Sequence, residues 1–338
     1  MGNFRSISGE SLAQIRDLKV TYSPESQQPV RALQGVCLDI CFGEVIGILG
    51  ESGCGKSTLA LALLRLLPRS ARIDGGSIRF LGRDLGSMPE SELRKLRGAE
   101  IALIPQDPAT TLNPVMRAGA QISEVLRAHT DLSRAQRVNR GHELLREVGF
   151  ENPAEIASAY LHQLSGGQRQ RIAIAQAIAC RPALVIADEA TSKLDAALQA
   201  ETIGLMQEIR RRHGIAFLII SHDPSLFSGF ADRVVVMYAG RIVEEGSCKS
   251  VTRKPLHPYT RALLALTENS PARGARVRLP MIPGELPDLT RVAAGCPFES
   301  RCADRMELCS GDDPRELMPD PNHYVSCFKY DNWYSEFE

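Results

Sequence analysis

The sequence has no long hydrophobic run, and this absence sets the first limit on its function. A helix needs about 20 consecutive apolar residues to cross a bilayer, and no stretch approaches that length. The first 20 residues also lack the apolar core of a signal peptide, because charged side chains such as Arg5, Glu10 and Arg16 interrupt them. We therefore expect a cytoplasmic protein that meets a membrane only through partner subunits.

An excess of charge of one sign is also absent. The chain of 338 residues carries 40 lysines and arginines against 40 aspartates and glutamates. Nucleic-acid-binding proteins usually show a basic excess, so we expect no nucleic-acid partner. The 43% of hydrophobic residues is enough for a core, and the length indicates about two domains.

Cysteine is present in quantity, but a disulfide framework is not expected in a cytoplasmic chain. Four of the nine cysteines lie in the last fifth of the sequence, where prolines recur from Lys254 onward and helical periodicity fades. Proline fixes φ and removes an N–H donor, so this part should consist of loops and short elements. We place a domain boundary near residue 250. The other five cysteines are expected to be buried thiols: Cys37, Cys41, Cys54, Cys180 and Cys248.

Before residue 250, short apolar runs alternate with segments of helical periodicity. The runs that are typical of buried strands are Val45–Leu49, 183–187 and 215–220. Residues 121–148 have a helical pattern, with Ser133 as an N-cap inside it. An apolar run followed by a glycine turn predicts a hairpin over 234–243. Buried strands alternating with helices predict an α/β fold with a mostly parallel sheet and a helical insertion.

A glycine-rich loop between a strand and a helix carries the clearest motif. Residues 50–58 fit the pattern G-x-x-x-x-G-K-[ST], whose backbone N–H groups form a nest for phosphate. Lys56 would reach the β- and γ-phosphates, and the Ser57 hydroxyl would bind Mg²⁺. The loop therefore predicts a site for a nucleoside triphosphate. Its candidate binding residues are Gly50, Ser52, Gly53, Cys54, Gly55, Lys56, Ser57 and Thr58.

Two consecutive acids follow the apolar run at 183–187. Asp188 is the candidate second contact to Mg²⁺, and Glu189 is the candidate catalytic base that polarises the attacking water. Strand alternation aims their side chains in opposite directions, so that they can take different tasks.

The segment 164–171, Leu-Ser-Gly-Gly-Gln-Arg-Gln-Arg, resembles the signature motif of ABC-type ATPases. A serine, two glycines and a helix start form a second anion nest, made by Ser165, Gly166, Gly167 and Gln168. In the resembled family this nest closes on the nucleotide of the opposite subunit. The resemblance therefore implies a head-to-tail dimer that encloses two ATP molecules.

Other residues match the same family pattern one by one. Gln106 resembles the glutamine that reaches Mg²⁺ and water, and Asp195 the aspartate that contacts the partner's phosphate loop. His222 resembles the switch histidine at the γ-phosphate, and Tyr22 the aromatic that stacks on adenine, although a lone tyrosine could equally serve packing.

Three residues depart from the family pattern. Ala190 and Leu161 stand where proline is common, and Lys193 replaces a small residue. None of them removes a phosphate, metal or water ligand, but Lys193 leaves open whether the partner ATPase is identical.

The last part of the chain resembles oligopeptide and dipeptide importer ATPases, on the segments 256–264, 282–287 and 295–302. The resemblance implies a P-loop NTPase fold of the ABC type over 1–250, with an antiparallel β-subdomain and a helical subdomain at about 107–165. An importer-type extension would follow over 251–338.

The same resemblance implies a function and a set of partners. The chain would hydrolyse ATP to energise import of peptides, or of a related small solute such as nickel. Its expected place is peripheral, at the cytoplasmic face of the inner membrane. Expected partners are a second ABC ATPase (a heterodimer is favoured over a homodimer), two transmembrane permease subunits and, indirectly, an external solute-binding protein. The competing hypotheses are a soluble ABC ATPase of DNA repair or ribosomes and a non-hydrolysing scaffold.

The four late cysteines, Cys296, Cys302, Cys309 and Cys327, have the spacing C-x5-C-x6-C-x17-C. Four thiolates can complete a tetrahedral Zn²⁺ site or a [4Fe–4S] cluster. Structural zinc usually uses closer pairs, so the wide gaps favour a cluster. Zinc and four unligated thiols remain the alternatives.

Overall fold

The computed structural model describes residues 10–23, 25, 28–268, 282–290 and 294–331. The expectations for residues 1–9 and for parts of the proline-rich tail lie outside these ranges. The strands are β1 (Ser11–Tyr22), β2 (Val30–Cys41), β3 (Val45–Leu49), β4 (Ala71–Phe80), β5 (Arg83–Asp84), β6 (Ile101–Ile104), β7 (Leu184–Asp188), β8 (Ala216–Ser221), β9 (Arg233–Tyr238), β10 (Arg241–Ser247), β11 (Glu316–Asp320) and β12 (His323–Ser326). The helices are α1 (Lys56–Leu63), α2 (Glu90–Leu96), α3 (Pro108–Thr111), α4 (Ala118–His129), α5 (Arg134–Glu147), α6 (Pro153–Ser158), α7 (Gly166–Ala177), α8 (Ala196–His213), α9 (Cys248–Arg253) and α10 (Pro258–Glu268).

The chain divides into two compact units that interleave along the sequence. The first unit holds the described residues of Met1–Ala13, Asp39–Val45 and Arg79–Ile220. The second holds those of Gln14–Leu38, Ile46–Ile78 and Ser221–Glu338. Because both units alternate along the chain, the boundary near residue 250 stays a prediction.

The first unit contains parallel strands and most of the helices. Strand β7 pairs in parallel with β6 on one side and with β8 on the other. Its residues Leu184, Val185 and Ile186 are fully buried, which explains the uninterrupted apolar run in the sequence. Helices α3 to α6 follow β6 and form the predicted helical insertion. Ser133 caps α5 in a reciprocal capping box, as the sequence predicts.

The second unit contains a mixed sheet. Strand β3 pairs in parallel with β9, which forms an antiparallel hairpin with β10. The hairpin turn uses Ala239 and Gly240, both with positive φ (49° and 76°), which is the geometry that two-residue hairpin turns require. The predicted hairpin is thus confirmed. Strands β2, β1 and β4 lie side by side in a second, separate sheet.

The tail is more ordered than the proline count indicates. Helix α10 has 11 residues, and β12 pairs antiparallel with both β10 and β11. The expectation of loops and short elements is therefore wrong for α10, whereas β11 and β12, with five and four residues, are short as predicted. The prolines are compatible with the order because Pro258 is the first residue of α10, where the missing N–H has no partner to lose. Within the described ranges, no helix is long and apolar enough to cross a membrane.

Candidate nucleotide site

The glycine-rich loop lies between β3 and α1, as its pattern predicts. All five residues of β3 are buried, so the strand is a rigid base for the loop. Gly53 and Gly55 have φ of +81° and +106°, which side chains rarely tolerate. A Cβ at Gly55 would also lie 2.6 Å from the carbonyl oxygen of Ala32. Both positions therefore favour glycine for the turn, and Gly55 also requires it for the close backbone approach.

Lys56 is the first residue of α1, directly after the glycine-rich turn, and is 5% exposed. Its Nζ donates hydrogen bonds to the carbonyl oxygens of Gly50, at 2.7 Å, and Glu51, at 2.9 Å. The Cys54 sulfur is 3.8 Å from the same nitrogen. The ammonium group thus joins the end of the loop to its beginning, and it supplies the positive charge that the motif needs at this place.

The other predicted residues of the second unit surround the start of α1 or follow β8. Tyr22 and Thr58 form a hydrogen bond between their hydroxyls at 3.3 Å. Ser57 is exposed at the start of α1, while Thr58 is buried. His222 is exposed in the bend that follows β8. The structure therefore brings Tyr22 to the phosphate-loop helix, which the sequence alone could not show.

The candidate base and its neighbours lie in the first unit. Strand β7 ends at Asp188, and Glu189 has a left-handed backbone with φ of 46°. The argument from strand alternation is therefore wrong for Glu189, because a turn, not the strand, directs its side chain. Non-glycine residues in this conformation are strained and concentrate at functional sites. Gln106 Nε2 donates a hydrogen bond to Glu189 Oε2 at 2.8 Å, so two residues 83 apart in sequence meet.

The signature segment is the capped start of α7. Ser165 Oγ accepts the Gln168 N–H at 3.2 Å, and Gln168 Oε1 accepts the Ser165 N–H at 2.9 Å. Ser165 and Gly166 are exposed, which leaves this helix start accessible. Asp195 caps α8 in the same manner by accepting the Leu198 N–H at 2.9 Å. Each predicted contact residue thus also has a local structural task.

Lys193, one of the three departures from the family pattern, contacts the carboxylate of Asp107. Hydrogen bonds from Lys193 are the first cause that lowers the pKa of Asp107, followed by the Ala109 N–H. The lysine therefore links the loop before α8 to the start of the helical insertion within the first unit.

Two residues outside the predicted site also contact the phosphate loop. Tyr259, at the start of α10, accepts the Glu51 N–H through its hydroxyl at 2.8 Å. Arg301 binds the Glu51 carboxylate through two hydrogen bonds, of 2.8 and 3.0 Å. Neither residue belongs to a nucleotide motif. In the sequence, the only feature that points to Tyr259 and Arg301 is their position in the tail segments 256–264 and 295–302, which resemble the importer ATPases.

The four late cysteines are the candidate ligands for a metal ion or a cluster. Burial raises the pKa of Cys296 to about 11 and also raises that of Cys302 and Cys327. In each of these three, a backbone hydrogen bond from two residues further on lowers the thiol pKa, and the charges of other late cysteines raise it. The charges of the thiols therefore influence one another, and the N–H donors are of the kind that stabilise a thiolate ligand. Across the described residues, however, no three His, Cys, Asp or Glu side chains form a group that could hold a metal ion.

Comparison with known proteins decides the family. Residues 33–192 match the family model described as ABC transporter, and residues 243–309 match the C-terminal region of oligopeptide/dipeptide transporters. A probable peptide ABC transporter ATP-binding protein of Sinorhizobium fredii is 42% identical over 324 residues, which cover 94% of this chain and 95% of the relative. The chain belongs to the ATP-binding proteins of oligopeptide and dipeptide ABC transporters. The oligopeptide transport ATP-binding protein OppD of Escherichia coli, another member, is 42% identical over 95% of this chain and 94% of its own length.

A solved structure confirms the fold of this family member. The dimeric ATP-binding cassette MJ0796, in a post-hydrolysis state with ADP and phosphate, matches with a TM-score of 0.63 and 26% identity. The match covers 70% of this chain and 98% of that one. The predicted ABC-type P-loop fold is therefore confirmed.

Proposed function

We propose that the chain is the ATP-hydrolysing subunit of an importer of peptides or of a related small solute. The observation that supports this most strongly is the likeness to peptide-transport ATP-binding proteins, which extends through the C-terminal region at 243–309. That region is outside the nucleotide motifs, so it separates this family from ABC ATPases in general. The same likeness favours this function over a soluble ABC ATPase of DNA repair or ribosomes. An importer of nickel is a variant of the main proposal.

ATP would bind at the glycine-rich loop of the second unit. The backbone N–H groups of 50–58 and the start of α1 would hold the phosphates, with Lys56 leaving its carbonyl partners for the β- and γ-phosphates. Tyr22 would stack on the adenine. Ser57, Asp188 and Gln106 carry the hard oxygen donors that Mg²⁺ prefers, and the ion would neutralise charge on the phosphates.

Hydrolysis would use the residues at the end of β7. Glu189 would accept a proton from the attacking water, and the amide of Gln106, 2.8 Å from its carboxylate, would orient it. His222 would contact the γ-phosphate. Ser165, Gly166, Gly167, Gln168 and Asp195 of one subunit would complete the site on the other, which accounts for their exposed or half-buried positions.

The work of such a subunit needs a larger assembly. Two ATPase domains would close on two ATP molecules and drive two permease subunits from inward- to outward-facing, while an external solute-binding protein delivers the solute. We favour a second, non-identical ATPase as the partner, because the resembled importer ATPases with this C-terminal extension often work as pairs of two different ATPases. The chain would then lie at the cytoplasmic face of the membrane, with ATPase domain 1–250, its helical subdomain 107–165, and extension 251–338.

The proposed base is tested by Glu189→Gln. This variant keeps the side-chain shape but cannot accept the proton, so it should bind ATP, accumulate as a closed dimer and lose turnover at least about 100-fold. Glu143→Gln is the matched control, because Glu143 is exposed and its partner is Arg140. Turnover of Glu189→Gln at the control's rate would show that another group is the base. Recovery of the full chain from detergent-solubilised membranes, with identification of co-purifying chains, tests the partners.

We also propose that Cys296, Cys302, Cys309 and Cys327 hold a [4Fe–4S] cluster that stabilises the tail, with zinc as the alternative. The support is chemical: four thiols whose charges influence one another, three of them with backbone N–H donors. The cluster would have to draw the thiols together, because the described residues contain no preformed group of metal ligands. Anaerobic purification should give about four iron and four sulfide per chain and a visible charge-transfer band. One zinc per chain without iron would refute the cluster.

A further inference from the structure

The phosphate loop contains an acidic residue, Glu51, at its second position. A carboxylate is an unfavourable neighbour for the phosphates of ATP, because like charges repel most strongly where water is partly excluded. The charge of Glu51 influences the Cys54 thiol, which is buried inside the loop. Burial is the main cause that raises the pKa of Cys54, and the Glu51 carboxylate raises it further, against the lowering effect of Lys56.

Arg301 binds this carboxylate with the geometry of a matched pair. Its Nη1 donates to Glu51 Oε2 at 2.8 Å and its Nη2 to Glu51 Oε1 at 3.0 Å. Two parallel bonds of this kind fix direction as well as distance. The Arg301 side chain is 4% exposed and that of Glu51 is 23% exposed, so water screens the pair little.

The guanidinium group is itself held by other residues. Its Nε donates to the Pro283 carbonyl at 3.0 Å, and its Nη groups also donate to the Tyr238 hydroxyl at 3.3 Å and to the Ile282 carbonyl at 3.4 Å. These partners fix the position of the Arg301 guanidinium group, so the Glu51 side chain has to adopt the rotamer that reaches it. The Glu51 side chain is thereby turned toward the tail.

The backbone of Glu51 is held from the same side. The Tyr259 hydroxyl accepts the Glu51 N–H at 2.8 Å, and Tyr259 is fully buried. Its ring packs on Tyr238, with centroids 4.6 Å apart, and on Phe298, at 5.4 Å. Phe298 and Arg301 belong to one short segment, so the ring cluster and the ion pair form a single support beneath the phosphate loop.

We propose that Arg301 is a positioning residue for ATP binding, which neutralises the Glu51 carboxylate and holds it away from the phosphates. The C-terminal segment around Arg301 then sets the affinity of the loop for the nucleotide. This inference rests on the proposed ATP site, but it makes a separate statement about the role of the tail. Arg301 acts through Glu51 and not on the reacting atoms, so its removal should change affinity and leave the chemical step nearly intact.

The test measures equilibrium binding of Mg²⁺ adenylyl-imidodiphosphate, together with KM and kcat for ATP, on the full chain. Arg301→Met should raise Kd and KM about tenfold, within the range of about 5- to 150-fold that couplings between sites span, with kcat changed less than about threefold. Adding Glu51→Gln should bring Kd to within about threefold of the Glu51→Gln single variant, because no unpaired charge then remains. Arg301→Lys keeps the charge without the paired bonds and should lie between, also serving if Arg301→Met does not fold.

Arg305→Met is the matched control, because Arg305 lies in the same segment and pairs with Glu299 rather than with the loop. It should bind the analogue as the wild type does. Wild-type affinity in Arg301→Met would overturn the inference. So would a loss that Glu51→Gln does not restore, because Arg301 would then act only through folding of the tail. If the wild type itself neither binds the analogue nor hydrolyses ATP, the proposed function fails first, and the inference fails with it.

Discussion

A buried carboxylate, Glu244, ties the tail to the sheet of the second unit. The Glu244 side chain is fully buried in β10. It accepts the Leu256 N–H and the His257 N–H, each at 2.8 Å, before α10, and a hydrogen bond from His323 Nε2 in β12, also at 2.8 Å. Three tail groups therefore depend on one acceptor. Its loss should loosen the tail without touching a nucleotide residue.

The perturbation is Glu244→Gln, which preserves volume and removes the charge. The amide oxygen can still accept from the groups at Oε1, but the amide nitrogen then faces the His257 N–H. One charge-assisted bond is lost, worth about 1.5–3 kcal/mol, and the buried N–H left unpaired costs about 1–3 kcal/mol. Because these two values describe partly the same loss, we expect a net destabilisation of about 3 kcal/mol. With an unfolding entropy of about 2 cal/mol/K per residue over 338 residues, Tm should fall by about 4 °C.

The assay is thermal unfolding of the full chain followed by circular dichroism, with limited proteolysis of the tail. Asp313→Asn is the control, because Asp313 is 55% exposed and pairs with Arg241 at the surface, where such a pair contributes about 0–1 kcal/mol. The control should shift Tm by less than about 1 °C. If Glu244→Gln shifts Tm no more than the control, the carboxylate is not the anchor of the tail.

Two further predictions concern catalysis and pH. Gln106→Ala removes the amide that contacts Glu189. It should lower kcat about 10- to 100-fold and change KM for ATP less than about threefold. An unchanged kcat in a steady-state ATPase assay would contradict the role of Gln106 in orienting Glu189. Burial lowers the pKa of His257 to about 4. Between pH 6.5 and pH 4 the unfolded chain therefore binds more protons than the folded chain. The free energy of unfolding should fall by up to about 3 kcal/mol as the pH falls through this window. His257→Asn should flatten this loss in Tm measured from pH 7 to pH 4; a wild-type pH profile in the variant would show that other groups cause it.

Much of the fold was predictable because its signals are local. The strand β3 has the predicted bounds, since an apolar run closed by glycine and followed by a phosphate loop has few other structures available. The capping box at Ser133 and the hairpin turn at Ala239 and Gly240 depend on residues within a few positions of one another. In each case sequence neighbours are also spatial neighbours.

The errors arose where distant residues decide the structure. β11 and β12 are short and carry no clear alternation of apolar and polar residues, and their pairing depends on the edge of β10. The positive φ of Glu189 is held by surrounding contacts, among them the bond from its N–H to the Ile220 carbonyl, at 3.0 Å. A pattern of strand alternation cannot anticipate such a turn.

The sequence by itself determined the phosphate loop, the signature segment and the two acids at the end of β7, because each is a contiguous motif whose spacing follows from backbone geometry. Only the tertiary structure decided what supports the loop. Glu51 and Arg301 are 250 residues apart, and no local preference of either residue encodes their pairing. It results from the packing of Tyr238, Tyr259 and Phe298, which brings the tail under the loop and leaves the arginine and the glutamate as each other's best-placed partners.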